Sequence, residues 1–207
     1  MNELLTNEIN EEIAILINSG FYSEAEILEI IEEQFIDEDI SLNVITDIIS
    51  KKFNEKLDIE KTWKEITDFD KLKLCFDELS QNKIIAIHNA GYDIDEGIQD
   101  AFEIYHHIKT QKLDPVGFCF YHFQDIERAI ESKSLSLAFG DFEGSPKKSE
   151  EIGNSITDIS RKHGFIVNWN HDINTRIEIN PFYWEKRSDS QEYEMEGAYN
   201  SYLKNNI

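Results

Sequence analysis

The chain has 207 residues, 40% of them apolar and 12% aromatic, enough to fold around a real core, which excludes intrinsic disorder. It carries 42 Asp and Glu against 20 Lys and Arg, and a formal charge of −22 argues against a nucleic-acid surface built on basic patches. The acids are unevenly placed: Met1 to Ser50 holds thirteen of them and not one Lys or Arg.

The first sixty residues read as three helices. Ile9, Ile13, Leu16 and Ile17 recur at helical spacing, and Ser19-Gly20 stops that run. Ser23 and Glu26 form a capping box, with Tyr22 and Ile27 at the positions of a hydrophobic staple. The second helix turns Ile27, Ile30, Ile31 and Phe35 inward and leaves Glu24, Glu29, Glu32 and Glu33 outside. Asp37-Glu38-Asp39 breaks it. The third starts near Ser41 and lays Val44, Ile45, Ile48, Ile49 and Phe53 on one side.

From Trp63 helices and strands alternate. Thr67 or Asp68 caps a helix with Leu72, Cys75, Phe76 and Leu79 inward, and Ile84–Ile87 is a short apolar strand. Asp93 and Glu96 cap a helix carrying Ile98, Ala101, Phe102, Tyr105 and Ile108. A strand over Gly117–His122, a short helix near Ile126–Glu131 and a strand over Leu135–Phe139 follow. Pro146 opens a long helix at the position where its missing N–H costs nothing, and Gly164 ends it. Phe165–Trp169 and Arg176–Ile179 form a closing hairpin, and Met195, Tyr199 and Tyr202 dock as a last helical stripe. The expected fold is α/β or α+β: a mainly parallel or mixed five-stranded sheet flanked by helices, preceded by a three-helix region. The expected divisions are an acidic helical region over 1–60, an α/β domain over 63–187 and an acidic tail or helix over 188–207.

Two places suggest function. The acidic front reads either as a solvated helical face or as an electrostatic lure for a basic surface, with Glu24, Glu29, Glu32, Glu33, Asp37, Glu38 and Asp39 as the contact residues. The complete lack of Lys and Arg speaks for the lure, because solvated helices usually mix signs for i,i+4 pairing. The second place is the C-terminal edge of a parallel sheet, where α/β proteins put ligand sites. It would gather His88 and Asn89, then Tyr121, His122, Gln124 and Asp125, and Asp141 from the third strand. There His88, His122 and Asp125 would bind a metal or divide acid–base work, with Tyr121, Gln124 and Arg128 orienting a small polar substrate. The competing reading makes both histidines structural and Asp125 a helix cap.

Other signals are weaker. Cys75 and Cys119 read as buried, reduced thiols without zinc spacing. His106 and His107 are adjacent on a helix and diverge, and the Gly140–Gly144 loop contains two acids and no Lys-Ser/Thr ending, so it makes no phosphate cradle. Arg128, Arg161, Arg176 and Arg187 are the only arginines, and Arg128 is expected to pair with a neighbouring acid. No run approaches the ~20 apolar residues of a membrane span. Met1–Ile9 lacks the basic head of a secretory signal, so cytoplasmic residence is expected.

The span from Trp63 to Arg187 resembles a family of bacterial proteins catalogued as domain of unknown function 6891. The resemblance rests on Thr67–Leu72, His88-Asn89-Ala90-Gly91-Tyr92, Gly117–Arg128, Leu137-Ala138-Phe139-Gly140, Val167-Asn168-Trp169-Asn170 and Trp184-Glu185-Lys186-Arg187, in that order. It implies a shared α/β domain and no established activity. Tyr121-His122-Phe123-Gln124-Asp125 is similar to the family's most recognisable segment, which makes a site there an implication of the resemblance.

The function expected from all of this is an acidic, non-enzymatic binding protein that engages a basic protein partner, as a bacterial immunity or inhibitor protein neutralises a toxin. No cofactor or metal is expected, nor a nucleic-acid or membrane partner. The alternatives are an enzyme or metal- or small-ligand-binding domain using the strand-end residues, and an oligomerisation module in a larger assembly.

Overall fold

The computed structural model describes residues 3–207. Met1 and Asn2, the start of the segment read as lacking a secretory signal, lie outside the described residues. Among these are eight helices and a five-stranded mixed sheet, an α+β architecture with a helical region at the front. The chain divides into two compact units. One comprises residues up to Thr67 together with Glu185–Ser190; the other comprises Asp68–Trp184 and Gln191–Ile207.

The helical unit contains α1 (Glu3–Ser19), α2 (Glu24–Gln34) and α3 (Leu42–Glu60), each packed on the other two. Ile9, Ile13, Leu16 and Ile17 of α1 are buried, as are Ile27 and Ile31 of α2 and Ile45 and Ile49 of α3. The capping box forms as the sequence requires, with Ser23 Oγ accepting from the Glu26 N–H and Glu26 accepting from the Ser23 N–H at 2.7 Å. Val44 is 47% exposed, because it stands a helical step of roughly 100° away from the Ile45–Ile49 seam.

In the second unit the sheet order is β1-β2-β3-β5-β4, from β1 (Ile84–Ile87), β2 (Gly117–Phe120), β3 (Leu135–Gly140), β4 (Val167–Asn168) and β5 (Ile177–Ile179). Its helices are α4 (Asp68–Gln81), α5 (Ile94–Thr110), α6 (Phe123–Ser132), α7 (Pro146–Lys162) and α8 (Glu194–Asn206). Of the two arrangements left open by the sequence, the mixed sheet is the one present: β1 and β2 are parallel, and the other pairs are antiparallel. The short α6 explains the switch. Phe120 pairs with Ala138 and Phe118 with Gly140, so α6 carries the chain sideways at the end of β2, and β3 then runs back.

Alternation along the strands gives the sheet two apolar faces. Ile85, Ile87, Phe118, Phe120 and Ala138 pack with Ala101, Ile104 and Ile108 of α5 and with Ala198 and Tyr202 of α8. A Cβ on Gly97 of α5 would lie 2.3 Å from the Phe120 ring, so this helix packs closely on the sheet. Ile98 is 38% exposed, since the buried seam runs through Gly97, Ala101, Ile104 and Ile108 instead. On the other face α4 lies against β1, and α7 lies against β2 and β3. Tyr202 is buried and Met195 and Tyr199 are partly buried, so the expected C-terminal stripe docks as α8.

Candidate functional site

The acids of the front region are displayed outward. Glu29, Glu32 and Glu33 lie off the Ile27–Ile31 stripe of α2 and are exposed, Glu24 is exposed at the N-terminal end of that stripe, and Asp37, Glu38 and Asp39 are exposed in the connection to α3. Glu24 accepts a hydrogen bond from the Ser50 hydroxyl. Four of the unit's lysines pair with acids beyond position 50: Lys51 with Glu55, Lys61 with Asp58, Lys56 with Glu60 and Lys186 with Asp189. Three apolar side chains stand exposed among these acids at the α2–α3 corner: Ile36 at 76%, Val44 at 47% and Leu42 at 38%.

The strand-end residues separate into two groups, because residues of opposite parity leave a strand on opposite faces. His88 turns to the α4 side. Its ring stacks on Phe76 at 4.4 Å, lies beside Phe69 and Tyr193, and Nδ1 shares a 2.9 Å hydrogen bond with the Tyr121 hydroxyl. Burial pushes the Tyr121 phenol well above its ordinary pKa, so it stays protonated. A cavity of about 50 Å³ opens beside His88, lined also by Lys73, Phe76, Asp77, Ala86 and Tyr193. Asn89 is buried and donates to Glu194 at 2.9 Å.

His122 turns the other way and joins an ion cluster centred on Asp125. The Asp125 carboxylate is fully buried. Its oxygens receive Arg128 Nη2 at 2.9 Å, the His122 backbone N–H at 3.2 Å and a close contact from Arg176 Nη2, while His122 Nε2 stands 3.3 Å away. Arg128 thus pairs with the acid three residues before it, as expected. Arg128 Nε also donates to the Gln124 carbonyl, and Arg176 to the Ser136 carbonyl, so both guanidiniums are fixed. Burial lowers the His122 pKa; Asp125 opposes that, and Arg176 and Arg128 reinforce it. The imidazole is therefore neutral near pH 7. Its Nδ1 and the Nε of Arg176 are buried without a hydrogen-bond partner.

Asp141 is not part of either group. Because β3 is antiparallel to β2, Asp141 leaves at the opposite end of the sheet, which corrects the expectation of one shared edge. There it organises the loop before α7, accepting from the Ser145 and Glu143 N–H groups and the Ser149 hydroxyl. Burial pushes its pKa up, but these hydrogen bonds outweigh burial and hold it below the ordinary value. Both thiols are free and buried, and burial raises Cys75 to about 11 and Cys119 well above its usual value, so neither is a nucleophile. Among the described residues no three His, Cys, Asp or Glu side chains converge to hold a metal ion.

Two features were invisible in the sequence. Arg176 reaches Asp125 across fifty-one positions, and only strand pairing brings it there. In the helical unit two lysines are buried. Lys186 donates to the Gly20 carbonyl at 2.7 Å over the Phe21 ring, and Lys56 donates to the Lys186 carbonyl at 3.1 Å, to Ser188 at 2.8 Å and to Glu60 at 2.7 Å. No local pattern distinguishes them from surface lysines.

The fold and these clusters define an α+β protein with a helical front, an outward acidic corner and a buried carboxylate held by two arginines. The chain belongs to the family described as Domain of unknown function (DUF6891), whose family model matches residues 2–188. The match takes in the helical front, which the resemblance read from the sequence had left out. No curated protein and no solved structure matches the chain. Among the described residues no helix is long and apolar enough to cross a membrane.

Proposed function

We propose that this protein is a non-enzymatic binding protein that engages a cationic protein partner through the α2–α3 corner, in the manner of an immunity or inhibitor protein that neutralises a basic toxin. One observation carries the reading: Glu32, Glu33, Asp37, Glu38 and Asp39 are exposed over the same stretch of chain, from the end of α2 to the start of α3, as the exposed apolar side chains Ile36, Leu42 and Val44, while Glu24 and Glu29 extend the exposed acids back along α2. An apolar centre with a charged rim is the usual anatomy of a protein interface. The field of the rim accelerates encounter with a positive surface and rejects negative ones.

The test is affinity capture with the intact chain over a salt series, run beside a variant carrying Glu32→Lys, Glu33→Lys, Glu38→Lys and Asp39→Lys. The expected partner is basic, releases steeply as salt rises, and is lost by the variant. A partner held equally by both chains, or one indifferent to salt, removes the reading. The enzymatic alternative would have to use His88 and His122 separately, since they serve different clusters.

A further inference from the structure

The ion cluster at the end of β2 holds more positive charge than its buried carboxylate neutralises. One negative charge on Asp125 faces the guanidiniums of Arg128 and Arg176, and His122 adds none because burial keeps it neutral near pH 7. A single arginine would balance Asp125. The second leaves a surplus of one positive charge on a protein whose net charge is −22.

Two of the neighbouring acids, Glu178 and Asp93, have other partners. Glu178 shares a β5 face with Arg176, and its oxygens accept from Ser134 at 2.6 Å and Asn168 at 3.3 Å. Asp93 is the α5 N-cap and accepts from the Asp95 and Glu96 N–H groups. Glu127, the residue before Arg128, has its pKa raised by burial and by Glu131 and lowered by Arg128, so its charge also faces Arg128 without bonding it.

We propose that Arg128 and Arg176 form the receptor for a small oxyanion, a phosphate- or carboxylate-bearing molecule. Both side chains reach solvent, being 54% and 26% exposed, while Nη2 of each is held on Asp125. Each fork has a further anchor, Arg128 on the Gln124 carbonyl and Arg176 on the Ser136 carbonyl. Guanidiniums fixed in this way lose little freedom when an anion arrives, and their planar forks match two oxygens of a carboxylate or phosphate. Arg176 Nε is buried and lacks a partner, so the cluster has donor capacity that nothing in the protein uses. The acidic α2–α3 corner plays no part in this site, and the two proposals stand or fall separately.

The experiment is calorimetric titration of the full chain with inorganic phosphate and, separately, with acetate, at ionic strength held constant with sodium chloride. Saturable binding of at least one is expected, with a rise in the melting temperature. Which of the two binds distinguishes a phosphate ligand from a carboxylate one. Arg128→Gln, at the more exposed of the two positions, should bind at least about tenfold more weakly while circular dichroism shows a folded chain. Arg176→Gln should do the same; if it fails to fold, Arg128→Gln decides alone. Absence of saturable binding to either anion up to tens of millimolar, or unchanged binding by Arg128→Gln, overturns the proposal.

Discussion

The two units of this protein each bury charge, and they do so with opposite signs. The helical unit exposes most of its acids and buries two cations, Lys56 and Lys186: Lys186 is held by the Gly20 and Arg187 carbonyls, and Lys56 by Glu60, Ser188 and the Lys186 carbonyl. The α+β unit buries an anion, Asp125, and holds it with side chains from α6 and from the residue before β5. A buried ammonium can use the carbonyls that helix ends and turns leave open, whereas a buried carboxylate needs donors, and here they are mainly guanidiniums. The carbonyl solution closes on itself. The guanidinium solution leaves one buried donor, Arg176 Nε, unused and both arginine side chains partly exposed.

Removing the centre of each cluster sharpens the contrast. Asp125→Ala strands two arginines on a buried surface and is expected to cost on the order of 4 kcal/mol in chemical denaturation of the full chain. Adding Arg176→Met to that variant should return part of the loss, since it removes one stranded charge. Glu60→Gln is expected to cost less, about 3 kcal/mol, because Lys56 keeps the Lys186 carbonyl and Ser188. In the folded protein burial lowers the Lys56 pKa, and Glu60 opposes it, so the same variant should make Lys56 easier to deprotonate. An equal loss in both variants, or none in either, breaks the distinction drawn here.

Packing offers a third test, confined to the α+β unit. A Cβ on Gly153 of α7 would stand 2.4 Å from the indole of Trp169, which also meets Phe139 edge-on. Gly153→Ala should therefore cost about 2 kcal/mol by overpacking, although alanine is the better helix former. A stabilised variant would mean that Trp169 moves freely and that this face of the sheet is not tightly filled.

What the sequence made legible was local. The Ser23–Glu26 capping box, Pro146 at the start of α7, and the seams through Ile9–Ile17 and Leu72–Leu79 all depend on contacts within a few residues, and all are present. The direction of β3 depends on where α6 delivers the chain, which periodicity does not encode. For that reason Asp141 was expected beside His122 and lies at the other end of the sheet. The Arg128–Asp125 pair was legible because it spans one helical turn; its second arginine was not, because it arrives from the residue before β5. Buried lysines were hidden for a compositional reason: lysine is among the residues least often buried, so pattern reading places it outside.

The smallest effect is one of pH, and it again separates the clusters. Burial depresses the pKa of His122 in the folded protein below its unfolded value of about 6.5. Between those two values the unfolded chain binds the extra proton, so the contribution is complete above about pH 6.5 and fades as pH falls through the folded pKa. The carboxylates with depressed values, Glu60 of the helical unit and Glu78, Asp114, Asp141 and Glu178 of the α+β unit, lose their contributions at lower pH, through the carboxylate range. Asp100 and Glu127, raised by burial, act in the opposite sense on acidification. His122→Gln keeps a polar side chain and removes the titration, so subtracting its stability profile from that of the native chain isolates His122 from these carboxylates. The difference should decline steadily from pH 7 to pH 5. A flat difference would mean that His122 accepts its proton as readily in the cluster as in the unfolded chain, and that Asp125, rather than burial and the two arginines, dominates its surroundings.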